Sequence, residues 1–311
     1  MYLVINTLLT DDWSYYDRVQ LLPERKPARV VISMSTFARR LQTTGLRVIQ
    51  DLMKRQRYDR MIVTVSLAHR NSTGHCIYKD CVMDETVVPV RTVQQCLDLL
   101  EVTFGHFQAI APSSERPDVL PYENGKLYLQ IMTAPDYGPA TKLLGALIAE
   151  RDPDTVIVTA DDNIFYFANY IFQLAYHIQQ NGTLGSFNQH IGQGPSVQSM
   201  INPKLWLVIW NGYGIRFEGW LMGFGGIAYR RSYFDDSIFA EARKLSYSCF
   251  INDDVWLGGY LKKRGYSTYV HLGLSVYNHQ RHATESLSTL EGAINKHVIA
   301  CAEQYHFPLA G

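Results

Sequence analysis

Two pairs of adjacent aspartates in this 311-residue chain stand where carboxylates can do chemistry. The first lies in Thr159-Ala160-Asp161-Asp162-Asn163. The apolar run Thr155-Val-Ile-Val-Thr-Ala160 before it reads as a buried strand, so two carboxylates and an amide oxygen follow a strand end directly. Ligands of open α/β sheets bind at that edge. Adjacent carboxylates repel unless a cation or solvent compensates. Hard oxygen donors suit Mg²⁺ or Mn²⁺, which bridge to substrate phosphates. The plain alternative is an acidic turn in which Asp162 or Asn163 caps the next helix. The second pair, Asp253-Asp254, opens an apolar helix. Favourable placement at a helix start explains an aspartate there. A general base that deprotonates an attacking hydroxyl is the chemical alternative.

Weaker signals accompany these pairs. Gly223-Phe-Gly-Gly226 either brings backbone close to a ligand or makes a bulged turn between strands. His271 and His279 follow the last strand, as metal ligands or as ordinary surface or core residues. Residues 37–60 carry seven Lys/Arg against two Asp, a solvated helix face or a field that steers an anionic donor. Trp206, Trp210 and Trp220 fall in a Gly-, Asn- and aromatic-rich stretch, 181–226, as core residues or as sugar-stacking surfaces.

The elements that must position these residues read as α/β. Residues 29–35 form a buried strand, 45–56 a helix with Thr43 or Thr44 as N-cap, and 61–66 a second strand. That is a βαβ unit, so the sheet is parallel here. Residues 67–90 are loop with a short strand at 87–90, 92–104 are helix, and 111–125 are a proline-rich loop. Pro139 at the first helical position starts a helix whose stripe is Ala140, Leu143, Leu144, Leu147 and Ile148. Further helices are expected at 169–179, 253–264 and 285–299, and a strand at 267–270. With no repeat and no linker, one domain spans 1–311.

Composition narrows the function. Lys+Arg equals Asp+Glu at 29 each, and a neutral chain is not a general nucleic-acid binder. The longest notable apolar run, Leu205 to Trp210, is far short of a membrane span. No transmembrane segment is expected, and peripheral membrane contact is left open. The N-terminus lacks the basic start of a signal peptide. Five cysteines without a CxxC spacing suggest neither a zinc site nor a disulfide framework. A reducing, cytoplasmic setting is the expectation, with a lumenal domain as the alternative.

Taken in order, the parts are a βαβ unit, a lysine-bearing helix, strand–Asp161-Asp162-Asn163, Gly225-Gly226, Asp253-Asp254-Val255 with Gly258, and a late histidine. This series resembles the GT-A glycosyltransferases that use nucleotide-sugar donors. Within them it looks most like the inverting family 2-type and fringe-like enzymes. The resemblance implies a GT-A, Rossmann-like fold: a mixed, mainly parallel sheet flanked by helices. It implies a nucleotide-sugar-binding half at 29–165 and an acceptor-binding and catalytic half at 166–311. By it, Ser33, Ser35, Thr36, Lys142, Asp161 and Asp162 bind the donor, and Trp220, Gly225 and Gly226 the acceptor. Asp162, Asn163 and His279 hold Mn²⁺ or Mg²⁺, with His271 as fallback, and Asp254 is the base beside Asp253. Asn163 departs from the pattern, since many relatives carry a third aspartate there. The implied partners are a nucleotide sugar and a glycan or glycoconjugate acceptor. Alternatives are a retaining enzyme of the same fold and a carbohydrate-binding protein without turnover. A sugar nucleotidyltransferase is disfavoured, because no Gly-rich, basic loop follows the first strand.

Overall fold

A computed structural model describes residues 29–36, 40–56, 58–66, 98, 109–110, 128–166, 170–183, 189–193, 215–217, 219–221, 223–271, 276–277 and 293–307. The first strand, β1 (Val30–Thr36), is buried at every position but Ser35, as its apolar run predicts. A π-helical turn, Leu41–Gly45, leads into α1 (Leu46–Arg55). β2 (Arg60–Ser66) then returns parallel to β1, with Val31 opposite Arg60. This is the expected βαβ unit. The expected threonine cap is not used: Arg40 and Gly45 both have helical angles, so the chain is already helical before α1 and has no free end there to cap.

Along the rest of the chain come β3 (Ala109–Ile110), β4 (Tyr128–Ala134), α2 (Thr141–Ala149), β5 (Val156–Ala160), β6 (Phe165–Tyr166) and α3 (Tyr170–Thr183). After them come β7 (Gln189–Gln193), β8 (Ile215–Phe217), β9 (Ile227–Arg230), α4 (Ser237–Ala242), α5 (Tyr247–Phe250), α6 (Asp253–Lys263), β10 (Ser267–His271), β11 (Val276–Tyr277) and α7 (Ala293–Gln304). The main sheet has the order β3-β4-β2-β1-β5-β9-β7-β10-β8. β9 runs against β5 and β7, and β8 against β10; the other pairings are parallel. β6 and β11 pair separately. The fold is therefore α/β, with a mixed, mainly parallel sheet flanked by helices. The expected helix at 92–104 and strand at 87–90 lie outside the described residues, apart from a helical Asp98.

Three differences from the sequence reading have clear causes. β4 is an inner strand where none is expected: Gln130, Ile131 and Met132 are all buried, as in a parallel strand covered on both faces. The helix after Pro139 starts two residues late. Asp136 accepts the Gly138 N–H at 2.8 Å, and the Thr141 hydroxyl accepts the Tyr137 N–H at 2.8 Å. These bonds stabilise a turn with Gly138 at φ +63°, which glycine tolerates best. The last helix runs to Gln304, which buries Cys301 against Cys249 in a disulfide. That pairing corrects the expectation of cysteines without disulfides. It closes a separation of 52 residues between α5 and α7, a loop whose entropy in the unfolded chain corresponds to ~4 kcal/mol. Among the described residues no helix is long and apolar enough to cross a membrane.

Candidate functional site

The antiparallel strand β9 assembles the site. Thr159 of β5 lies opposite Ile227, the first residue of β9. Whatever precedes β9 therefore lands beside whatever follows β5. The 3₁₀ turn Gly223–Gly225 arrives next to Asp161 and Asp162 for this reason, and β1 ends alongside them, with Met34 opposite Ala160.

The turn is anchored on both sides. Gly226 N–H donates to Gly223 C=O at 2.9 Å, with Gly226 at φ +82°. The Tyr166 hydroxyl accepts the Asp161 N–H at 2.8 Å and donates to Phe224 C=O at 3.1 Å. The Tyr170 hydroxyl donates to Gly225 C=O. Burial raises both phenols well above their ordinary range, so they remain neutral donors. On the far side, Gly223 N–H donates to Asp254 Oδ1 at 2.8 Å. A Cβ on Gly223 would stand 2.4 Å from that oxygen and 3.0 Å from Lys142 Nζ, so only glycine fits.

Lys142 joins the two acidic pairs. Its ammonium is 2.8 Å from Asp161 Oδ1 and 3.2 Å from Asp253 Oδ2, with the side chain only 7% exposed. Burial pulls its proton affinity down, but Asp161, Asp253 and Asp254 outweigh that and hold it well above the usual lysine range. Asp162 has separate partners: the Thr36 hydroxyl donates to Oδ2 at 2.9 Å, and Arg40 Nε lies 3.7 Å from Oδ1. Asp254 is partly buried. Burial first, then the neighbouring Asp253 charge, push its carboxyl up to about 8, despite Lys142 and the Gly223 N–H. Four carboxylates (Asp161, Asp162, Asp253, Asp254) gather around Lys142 and Arg40, and Asp254 is the one that retains its proton near neutral pH.

Several expected residues fall elsewhere. Ser33 is fully buried and donates to the Lys142 carbonyl, so it joins β1 to α2 instead of facing a donor. Thr36 holds Asp162, and Ser35 is half-buried at the end of β1. Asp253 does not cap α6: the cap is Asn252, and the Asp253 carboxylate turns to Lys142. Trp220 is 2% exposed, its ring edge-on to Phe307 at 5.1 Å, so it is core and not a stacking surface. Gly258 allows this, since a Cβ there would stand 2.8 Å from Trp220 Cβ. His279, Trp206 and Trp210 lie outside the described residues. His271 is placed only by its backbone, opposite Gln193 at the end of β10.

Arg40, Tyr166 and Tyr170 were missed from sequence. Arg40 belonged to a stretch read as a solvated face, yet its side chain is 12% exposed against Asp162. Tyr166 lies five residues after Asp161, and its aromatic-plus-hydroxyl type was the available signal.

Among the described residues no three His, Cys, Asp or Glu side chains form a metal-holding group. Magnesium-type sites need only one or two carboxylates, with phosphates and water completing the shell. The oxygen donors of Asp161, Asp162 and Asn163 are of the type that suits such a cation.

No family model and no curated relative matches the chain. Among solved structures, glucosyl-3-phosphoglycerate synthase from Mycobacterium tuberculosis, in complex with Mn²⁺, UDP-glucose and phosphoglyceric acid, is 14% identical. The match covers 91% of this chain and 82% of that one, at a TM-score of 0.42. The inositol-1-phosphate CTP transferase from T. maritima is 10% identical over 92% of this chain and 99% of that one, at a TM-score of 0.40. At these values neither carries an activity across, and the functional reading rests on the site itself.

Proposed function

We propose that the chain is a metal-dependent glycosyltransferase that moves a sugar from a nucleoside-diphosphate sugar to a hydroxyl of a glycan or glycoconjugate, with inversion. The observation that supports it most is the separation of duties across the glycine turn. One acidic pair sits at the end of β5 beside β1, and the other sits on α6, with Lys142 between them.

Residues 29–165 then form the donor half and 166–311 the acceptor half. Asp162 and Asn163, with Asp161 beside them, would hold Mg²⁺ or Mn²⁺. When bound, that cation supplies positive charge for a diphosphate leaving group. Asp254 takes the proton of the acceptor hydroxyl. A carboxylate raised toward neutral pH is a stronger base than an ordinary one and still deprotonates near pH 8. Attack from the Asp254 side, opposite the departing diphosphate, inverts the anomeric carbon. Lys142 holds Asp161 and Asp253 in place and is too engaged to serve as a phosphate ligand in this arrangement. The Cys249–Cys301 disulfide supports an oxidising compartment over the cytoplasm.

The test is release of nucleoside diphosphate from a panel of nucleotide sugars, with Mn²⁺ and glycoside acceptors. Asp254→Asn is expected to lower transfer by ~10² to 10⁴-fold and to keep Mn²⁺-dependent nucleotide affinity. Transfer at the wild-type rate would remove Asp254 as base. No metal-dependent nucleotide binding in the wild type would remove the transferase reading.

A further inference from the structure

Phe224 is 41% exposed, and among the described residues the other large hydrophobic side chain that open is Ile299 on α7. A single exposed apolar residue is ordinary on a protein surface. The setting of Phe224 is not. Its carbonyl is held by Tyr166, whose oxygen also holds the Asp161 N–H. The residue before it donates to Asp254, and the carbonyl of the residue after it is held by Tyr170. Glycines on both sides bring no side chain against the ring. An aromatic ring thus stands open on a turn whose backbone is hydrogen-bonded at three consecutive residues, one Cα step (about 3.8 Å) from the residue that binds Asp254.

We infer that Phe224 is the stacking platform for the acceptor, and that the acceptor group it takes is a pyranose presenting a face of C–H bonds. This rests on the transferase reading for the word acceptor, but not for the binding. An aromatic ring supplies apolar area at a low entropy cost, and ligand sites combine such rings with a few placed polar groups. Here Asp254 is the polar group and Phe224 the apolar one. Both adjoin Gly223, Asp254 through its N–H and Phe224 through the chain, so that one sugar would present a hydroxyl to the carboxylate and a ring face to the phenyl group. Phe224 is tied to both sides, through Tyr166 to the Asp161 N–H and through Gly223 to Asp254, and the acceptor assignment is the one that leaves UDP affinity independent of its ring. Specificity follows: an acceptor with an axial hydroxyl on the stacked face binds less well than its equatorial epimer.

The experiment is saturation-transfer NMR with methyl β-D-glucopyranoside, methyl β-D-galactopyranoside and methyl α-D-mannopyranoside, irradiating protein aromatic protons. Calorimetry with UDP and Mn²⁺ runs in parallel. The wild type should transfer saturation to ring C–H protons of at least one glycoside. Phe224→Ala should bind that glycoside about tenfold more weakly, the scale of one aromatic contact, and Phe224→Trp should restore binding. UDP affinity should be the same in all three proteins. Equal glycoside binding by Phe224→Ala, loss of UDP affinity in that variant, or no glycoside signal in the wild type would each overturn the inference. If glycosides bind through Phe224 but no nucleotide sugar is ever turned over, the catalytic reading falls and this one stands.

Discussion

The two edges of the sheet treat charge in opposite ways. At the edge where β1 and β5 end, four carboxylates share Lys142 and Arg40. At the edge where they begin, one buried acid, Glu150, meets Arg29 at 3.3 Å and Arg60 at 3.7 Å, while its carbonyl accepts from Arg231 Nε at 2.8 Å. The second cluster is basic and joins the starts of β1 and β2 to the end of α2. In the first, the Asp254 carboxyl is raised, by burial first and then by the neighbouring Asp253 charge. Burial is similar at both edges: Lys142 is 6% exposed and Glu150 4%. The contrast is therefore in which sign of charge is gathered and not in depth, and a carboxyl shifted by burial and a like-charged neighbour marks where a ligand or a proton has work to do.

Removing the bridge should break the contrast most sharply. Lys142→Met leaves Asp161 and Asp253 without their shared cation and is expected to cost about 3 to 5 kcal/mol in urea unfolding. A loss below about 1 kcal/mol would mean that Lys142 is a spectator.

The pH dependence of the metal-free protein comes next. The Asp254 carboxyl is raised to about 8 in the fold, against about 3.9 in an unfolded chain. Between those values the native state binds the extra proton, so stability falls as pH rises from about 4 to about 8. Asp254→Asn should flatten that slope, measured by thermal unfolding across the range. An unchanged slope would place the titration on another group.

The smallest effect is expected at the basic edge. Glu150→Gln keeps the main-chain bond to Arg231 and weakens two ion pairs, one of them with the partly exposed Arg29. It should cost about 1 to 3 kcal/mol and leave sugar transfer unchanged, since Glu150 lies at the opposite edge. Impaired transfer there would show the two edges to be coupled.

The site was legible in part because its acids announce themselves. Asp161-Asp162 follows a run buried at all five positions of β5, and a strand end is a local property. Asp253-Asp254 opens a helix whose apolar residues are equally local. The Gly258 spacing was visible, but its cause was not, because Trp220 packs there from 38 positions earlier in the chain. β4 went unseen although its residues are mostly apolar; what makes it a strand is being enclosed by β3 and β2.

The amino-acid sequence by itself determined β1, β2, β5 and β10, the helices α1, α2, α3 and α6, and the residue types that could hold a cation or take a proton, since these depend on neighbours a few residues away. Only the tertiary structure decided how those types share charge. Thr36 and Asp162 are 126 residues apart in sequence and 2.9 Å apart in space, and Lys142 meets Asp253 across the antiparallel return of β9. It likewise put Trp220 inside and left Phe224 exposed, reversing which of the two aromatic rings is open to solvent. Electrostatic interaction and burial both depend on distance in space, and distance in space between remote residues is set by strand order and direction, which no short window of sequence contains.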